Sequence, residues 1–201
     1  MALKSLQTSS AVGLTWVVDE PMQRASHALT SDGRVWLVDP VDEPDAMEQV
    51  GGLGEPVAVI QLLDRHGRDC RPVADRLGVP LLRLPDTVPD SPFACIPVID
   101  NRLWKEKALW WNDQRALVIA EAIGTAPLFH PSPAGAGVHI ALRLNPPKRQ
   151  LGTYLPNHLL VGHGPAIDGP RATEALQQAI DHSRRGLPGA MLAAPRALFR
   201  G

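Results

Sequence analysis

The chain has 201 residues, 44% of them hydrophobic and 20% charged, which is ordinary for a globular protein and enough for one sizeable core. A formal net charge of −1 gives no electrostatic reason to expect a nucleic acid or an anionic membrane as partner. Two cysteines, Cys70 and Cys95, are too few for a secreted disulfide framework, so reduced thiols and a cytoplasmic setting are expected. Met1 to Ser5 lacks the charged segment and apolar core of a signal peptide, and no apolar run reaches bilayer length. One domain over residues 1–201 is the expectation.

Twenty prolines and seventeen glycines imply many short elements joined by tight turns. Ala11 to Val18 alternates as a half-buried strand and stops at Asp19-Glu20-Pro21. Ala28 to Thr30 pairs across the turn Ser31-Asp32-Gly33 with a strand from Arg34 to Asp39, closed by Pro40. Asp42 to Val50 suits a short helix. Val57 to Leu63 is too uniformly apolar for an edge strand and belongs in a sheet interior. A helix follows through Pro72 to Leu77 and ends at Gly78. Val79 to Leu84 and Cys95 to Ile99 are further strands. Lys107 to Trp111 and Arg115 to Ala120 form a hairpin over Asn112-Asp113, and Trp110 and Trp111 on one strand must face opposite ways. A Pro- and Gly-rich region, Thr125 to Tyr154, is long enough to be a lid or a loose surface loop. Asn157 to Val161 is a short buried strand. Pro170 to Arg184 is an amphipathic helix with Ala175, Leu176, Ala179 and Ile180 on one side. Hairpins interrupted by single helices indicate layered α/β or α+β.

The most informative stretch is Val57 to Cys70, where an apolar strand empties into Asp64-Arg-His-Gly-Arg-Asp-Cys70. Such turns are where α/β folds carry metal ligands and catalytic groups. There is no phosphate-cradling glycine loop and no Gly-x-Ser-x-Gly elbow.

Four segments, in this order, resemble the metallo-β-lactamase fold family of glyoxalase II-like hydrolases. Gly33 to Asp39 is similar to that family's early strand ending in Asp. Ile60 to Cys70 stands where the family has His-x-His-x-Asp-His. Ala116 to Ala122 resembles the strand that supplies a bridging carboxylate, here Glu121. Leu159-Leu-Val-Gly-His163-Gly-Pro looks like the late strand ending in Gly-His-Gly before a final helix. The pattern spans roughly Arg24 to Arg184. The resemblance implies an αββα sandwich of two mixed sheets flanked by helices, with Asp39, Asp69, Glu121 and His163 converging at one edge.

The departures matter as much. With Asp69-Cys70 set on the family's closing Asp-His, its leading histidines fall on Arg65 and Gly67, with His66 beside them. The next family histidine falls within Arg102 to Lys105, where there is none. The resemblance therefore implies a depleted site that holds no metal or a single zinc ion on Asp69, Cys70, Glu121 and His163, with Asp69 as the catalytic candidate. Each has a plainer reading. Asp69 caps the following helix, Cys70 is a small buried hydrophobe, Glu121 sits in a salt bridge, and His163 is hydrogen-bonded within the fold. His66 reads as a polar turn residue. His27 and His182 read as surface histidines, while His130, His139 and His158 lack metal-ligand spacing.

Two functions follow: a fold that has lost its chemistry and binds a small molecule or protein, or a mononuclear hydrolase of an ester, thioester or related bond. If Arg65 or Arg68 turns inward, it is expected to pair with Asp69 or Glu121 and favour an anionic small molecule over a cation.

Overall fold

The structure is a computed structural model in which residues 2–9, 11–130, 132 and 135–184 are described. Its first sheet takes six strands in chain order: β1 (Leu3–Ser9), β2 (Gly13–Val18), β3 (Ala25–Ser31), β4 (Arg34–Val38), β5 (Glu55–Gln61) and β6 (Leu81–Arg83). Short turns make β1 to β4 antiparallel. Helices α1 (Pro44–Gly51) and α2 (Cys70–Leu77) then carry the chain back across the sheet, so β4, β5 and β6 run parallel. The uniformly apolar β5 does lie between two neighbours, as its lack of alternation predicts. α2 stops at Gly78, whose φ of 68° is the left-handed cap that glycine adopts at little cost.

The second sheet contains β7 (Phe93–Asp100), β8 (Lys105–Trp111), β9 (Ala116–Ile119), β12 (His158–Val161) and β13 (Ile167–Asp168), in the order β13-β12-β9-β8-β7. Only the β9–β12 pair is parallel. Helix α4 (Pro170–Asp181) buries Ala172, Ala175, Leu176, Ala179 and Ile180 against its outer face.

Three apolar layers result. Leu14, Trp16 and Leu37 pack beneath α1 and α2; Trp36, Ile60, Leu109 and Val118 fill the space between the sheets; Leu117, Ile119 and Val161 pack under α4. Trp111 belongs to the middle layer and Trp110 to the α4 side, as the period of a strand requires. The arrangement is an αββα sandwich.

Three features depart from the expectations. Residues 3–9 form a strand. His27 is buried, taking a hydrogen bond from Thr15 Oγ1 at 2.8 Å and donating to the Val161 carbonyl at 3.1 Å, and burial pushes its pKa down to about 4. The region from Thr125 to Tyr154 carries β11 (Gly137–Val138), paired with β10 (Ile123–Gly124), a 3-10 turn (Ile140–Leu142) and α3 (Lys148–Leu151). The buried guanidinium of Arg143 ties this region together through the carbonyls of Val138 and Phe129, at 3.1 and 2.9 Å.

The sheets are stitched at one end. Ala25 N–H donates to Gly162 O at 2.8 Å, Lys107 N–H to Leu62 O at 2.8 Å, and Asp64 N–H to Lys105 O at 3.0 Å. Arg68 reinforces the seam by donating to the carbonyls of Ala25, Asp39 and Gly162, at 2.5, 2.9 and 2.9 Å. The polar groups of interest gather at this seam.

Candidate metal centre

Four elements deliver side chains to the seam. Asp39 follows β4, His66 lies in the turn after β5, Glu121 follows β9, and His163 follows β12. His66 Nε2 lies 3.2 Å from Glu121 Oε2 and 3.4 Å from His163 Nε2. These three donor atoms all lie within 4.8 Å of one another. His66 and His163 are buried, and the Glu121 side chain is 13% exposed.

Outside partners settle which ring nitrogens face inward. His163 Nδ1 sits 2.9 Å from the Met22 carbonyl, which can only accept, so Nδ1 carries the proton and Nε2 a lone pair. His66 Nδ1 faces Asp39 Oδ2 at 3.4 Å, while the other Asp39 oxygen accepts the Leu62 N–H at 3.1 Å. His139 Nδ1 accepts the Ala141 N–H at 3.3 Å, which leaves Nε2 as a donor to Glu121 Oε1 at 3.4 Å. Thus His163 Nε2 and Glu121 Oε2 turn acceptor sites toward His66 Nε2, and a cation held there, either a proton on His66 or a metal ion on all three, satisfies the group.

A proton is one such cation. Burial and the Arg68 charge press the His66 pKa down, but its bonds to Asp39 and Glu121 outweigh them and raise it. Burial pushes Glu121 upward, yet the hydrogen bond and charge of His66, with His139 and His163, bring it to about 2. Burial, Arg68 and His66 lower His163 to about 4, keeping it neutral at physiological pH. A metal ion is the other candidate. Tetrahedral bonds of about 2.0–2.1 Å separate their donors by roughly 3.3 Å, and the observed 3.2 and 3.4 Å agree. The donor chemistry and the two spacings from His66 fit one ion, and the third pair lies within 4.8 Å.

Solved structures share this architecture. The DIM-1 metallo-β-lactamase is 11% identical, with 94% of this chain and 99% of that one covered and a TM-score of 0.57. A metallo-β-lactamase from Erythrobacter litoralis is 9% identical over 92% and 95% of the two chains, with a TM-score of 0.59. The chemotaxis sensor ODP, solved as a peroxy diiron species, is 11% identical over 88% and 94%, with a TM-score of 0.57. This chain has the metallo-β-lactamase fold. No family model and no curated protein matches the sequence, and identities this low establish the fold alone.

Within that fold, the structure brings Glu121 and His163 together, as expected, and adds His66. Asp69 and Cys70 do not join them. Asp69 is the N-cap residue of α2, and its Oδ2 accepts the Asp42 N–H at 2.8 Å. Cys70, the first residue of that helix, is buried beneath the first sheet with its Sγ 3.7 Å from the His66 carbonyl, and burial pushes its thiol up to about 12. The reading of His66 as a polar turn residue also gives way. The turn passes through Arg68 at a φ of 38°, leaving His66 inside and the Arg65 side chain half exposed.

Arg65 Nε lies 3.9 Å from Glu121 Oε2, so it, rather than Arg68, is the arginine that approaches a carboxylate of the site. Two contributors gave little sequence signal. His139 arrives from the irregular region, where spacing says nothing about its partners. Glu106, fully buried at the start of β8, accepts the N–H groups of Glu121 and Ala122 at 2.8 and 2.9 Å and the Trp104 indole N–H at 2.9 Å. Burial raises its pKa to about 7. It braces the peptide from which Glu121 projects.

Proposed function

We propose that the protein is a mononuclear metal-dependent hydrolase acting on an ester or related acyl bond. The observation that carries this reading is the convergence of His66 Nε2, His163 Nε2 and Glu121 Oε2, in which His66 Nε2 lies 3.2 and 3.4 Å from the other two and all three lie within 4.8 Å, a spacing that suits one tetrahedral ion. Three protein donors leave a fourth position for water. A bound zinc ion would lower the pKa of that water and polarise the scissile carbonyl.

The chain's own residues prepare the site. Asp39 and the Met22 carbonyl hold the imidazoles with their lone pairs inward, as outer partners of metal-bound histidines do. His139 occupies the second oxygen of Glu121, favouring coordination through the first alone. The half-buried Arg68 keeps a fixed positive charge beside Asp39, which opposes a second cation there. The same charge is what favours the second reading, a site without chemistry that only binds.

Elemental analysis of protein purified without chelator tests the proposal. One equivalent of zinc per chain is expected, lost in both His66→Ala and His163→Ala. Two histidines and one carboxylate also suit ferrous iron, which the same measurement reads. Zero metal, or two ions retained through dialysis, would refute the mononuclear reading. Metal bound without turnover on ester, thioester and lactone panels would select the binding-only reading.

A further inference from the structure

Arg65 and Arg68 stand three positions apart on one turn and meet opposite fates. Arg68 spends its donors on three carbonyls inside the seam. Arg65 keeps 46% of its side chain exposed, and its guanidinium carbon lies 4.2 Å from the centre of the Trp104 ring. That platform is itself anchored, because the Trp104 indole N–H donates to buried Glu106 at 2.9 Å. Stacking on an aromatic face orients a guanidinium without using its in-plane donors.

Those donors are open. The nearest carboxylate, Glu121, is 3.9 Å from Nε, beyond hydrogen-bond reach, and is already engaged by His66 and His139. Among the described residues, none makes a hydrogen bond to Arg65. A pre-oriented fork therefore stands beside the oxygen that faces His66. The neighbours that define this fork are the Trp104 ring on one face and Glu121 beside Nε.

We propose that Arg65, stacked on Trp104, is the specificity-determining residue of the site and selects substrates that carry a carboxylate. This rests on the hydrolase reading for the word substrate, but the anion fork itself needs no metal. Arginine matches a carboxylate with two parallel N–H bonds.

The test is calorimetric titration of the whole chain in excess chelator, using 4-phenylbutyrate and its neutral isostere 4-phenylbutyramide. Without metal, a carboxylate preference can come from the protein alone. The wild type is expected to bind the carboxylate roughly tenfold or more tightly than the amide, the range of a charge-assisted pair at a half-exposed position. Arg65→Gln should equalise the two ligands while leaving amide affinity and near-ultraviolet circular dichroism unchanged. Arg65→Lys should restore part of the preference, because it keeps the charge and loses the fork. Equal affinities in the wild type, no binding of either ligand, or a preference that survives in Arg65→Gln would each overturn the assignment. Failure of the metal reading appears separately, as absence of metal in untreated protein.

Discussion

Replacing Glu121 by Gln removes the negative charge from the group of acceptors while keeping the side chain's shape. In the metal-free protein, the Glu121 pKa stands at about 2 against an ordinary 4.5. At about 1.4 kcal/mol per unit, this corresponds to roughly 3 kcal/mol of stabilisation of the ionised form. Because the folded value is depressed, the contribution is complete above the unfolded value of 4.5 and disappears as pH falls through about 2. His66 sees the same bond from the other side. Its raised pKa makes its share complete below 6.5 and lost as pH rises through the folded value, so the interaction counts once and is fullest near pH 6. In Glu121→Gln, His66 can shed its proton and the amide can still bond His139, so the expected net loss is about 2 kcal/mol. Urea denaturation in chelator at pH 6 and pH 3 measures it. The difference should shrink to less than half at pH 3. A loss below about 0.5 kcal/mol at pH 6, or one unchanged at pH 3, would refute the account of converging acceptors.

Arg68→Met should destabilise the fold by about 2–4 kcal/mol, because it removes donors from three carbonyls at the seam. It should also raise the His163 pKa from about 4, since the guanidinium is one of the groups depressing it; proton NMR titration reads the shift. Folded protein should show one reactive thiol toward a disulfide reagent at pH 8, half-buried Cys95, with Cys70 reacting only in denaturant because burial holds its thiol at about 12. Gly162→Ala places a Cβ 2.0 Å from the Ala120 carbonyl oxygen and should lower thermal stability severely, whereas Gly67→Ala, with open space at its Cβ, should melt near the wild type.

Much of the layered architecture was legible in local pattern. The β5 run, the Ser31-Asp32-Gly33 hairpin, the opposed Trp110 and Trp111 and the Gly78 helix stop all follow from periodicity and turn chemistry, which act over a few residues. Glu121 and His163 were legible through the resemblance, which sets each just past a strand, at the positions where that family carries site residues. The membership of the site was different. Asp69 and Cys70 look like ligands by neighbourhood, but the start of α2 turns the Asp69 carboxylate to the Asp42 N–H and Cys70 beneath the sheet. His66 looks like a polar turn residue until Asp39 and Glu121 close around it from 27 and 55 positions away in the chain. His139 and Glu106 matter only because a paired β10–β11 and a seam between two sheets bring them in. Turns and strands are encoded by neighbours in sequence, whereas the direction of an imidazole lone pair is set by whichever distant carbonyl or carboxylate takes the opposite N–H, and only the folded chain decides that.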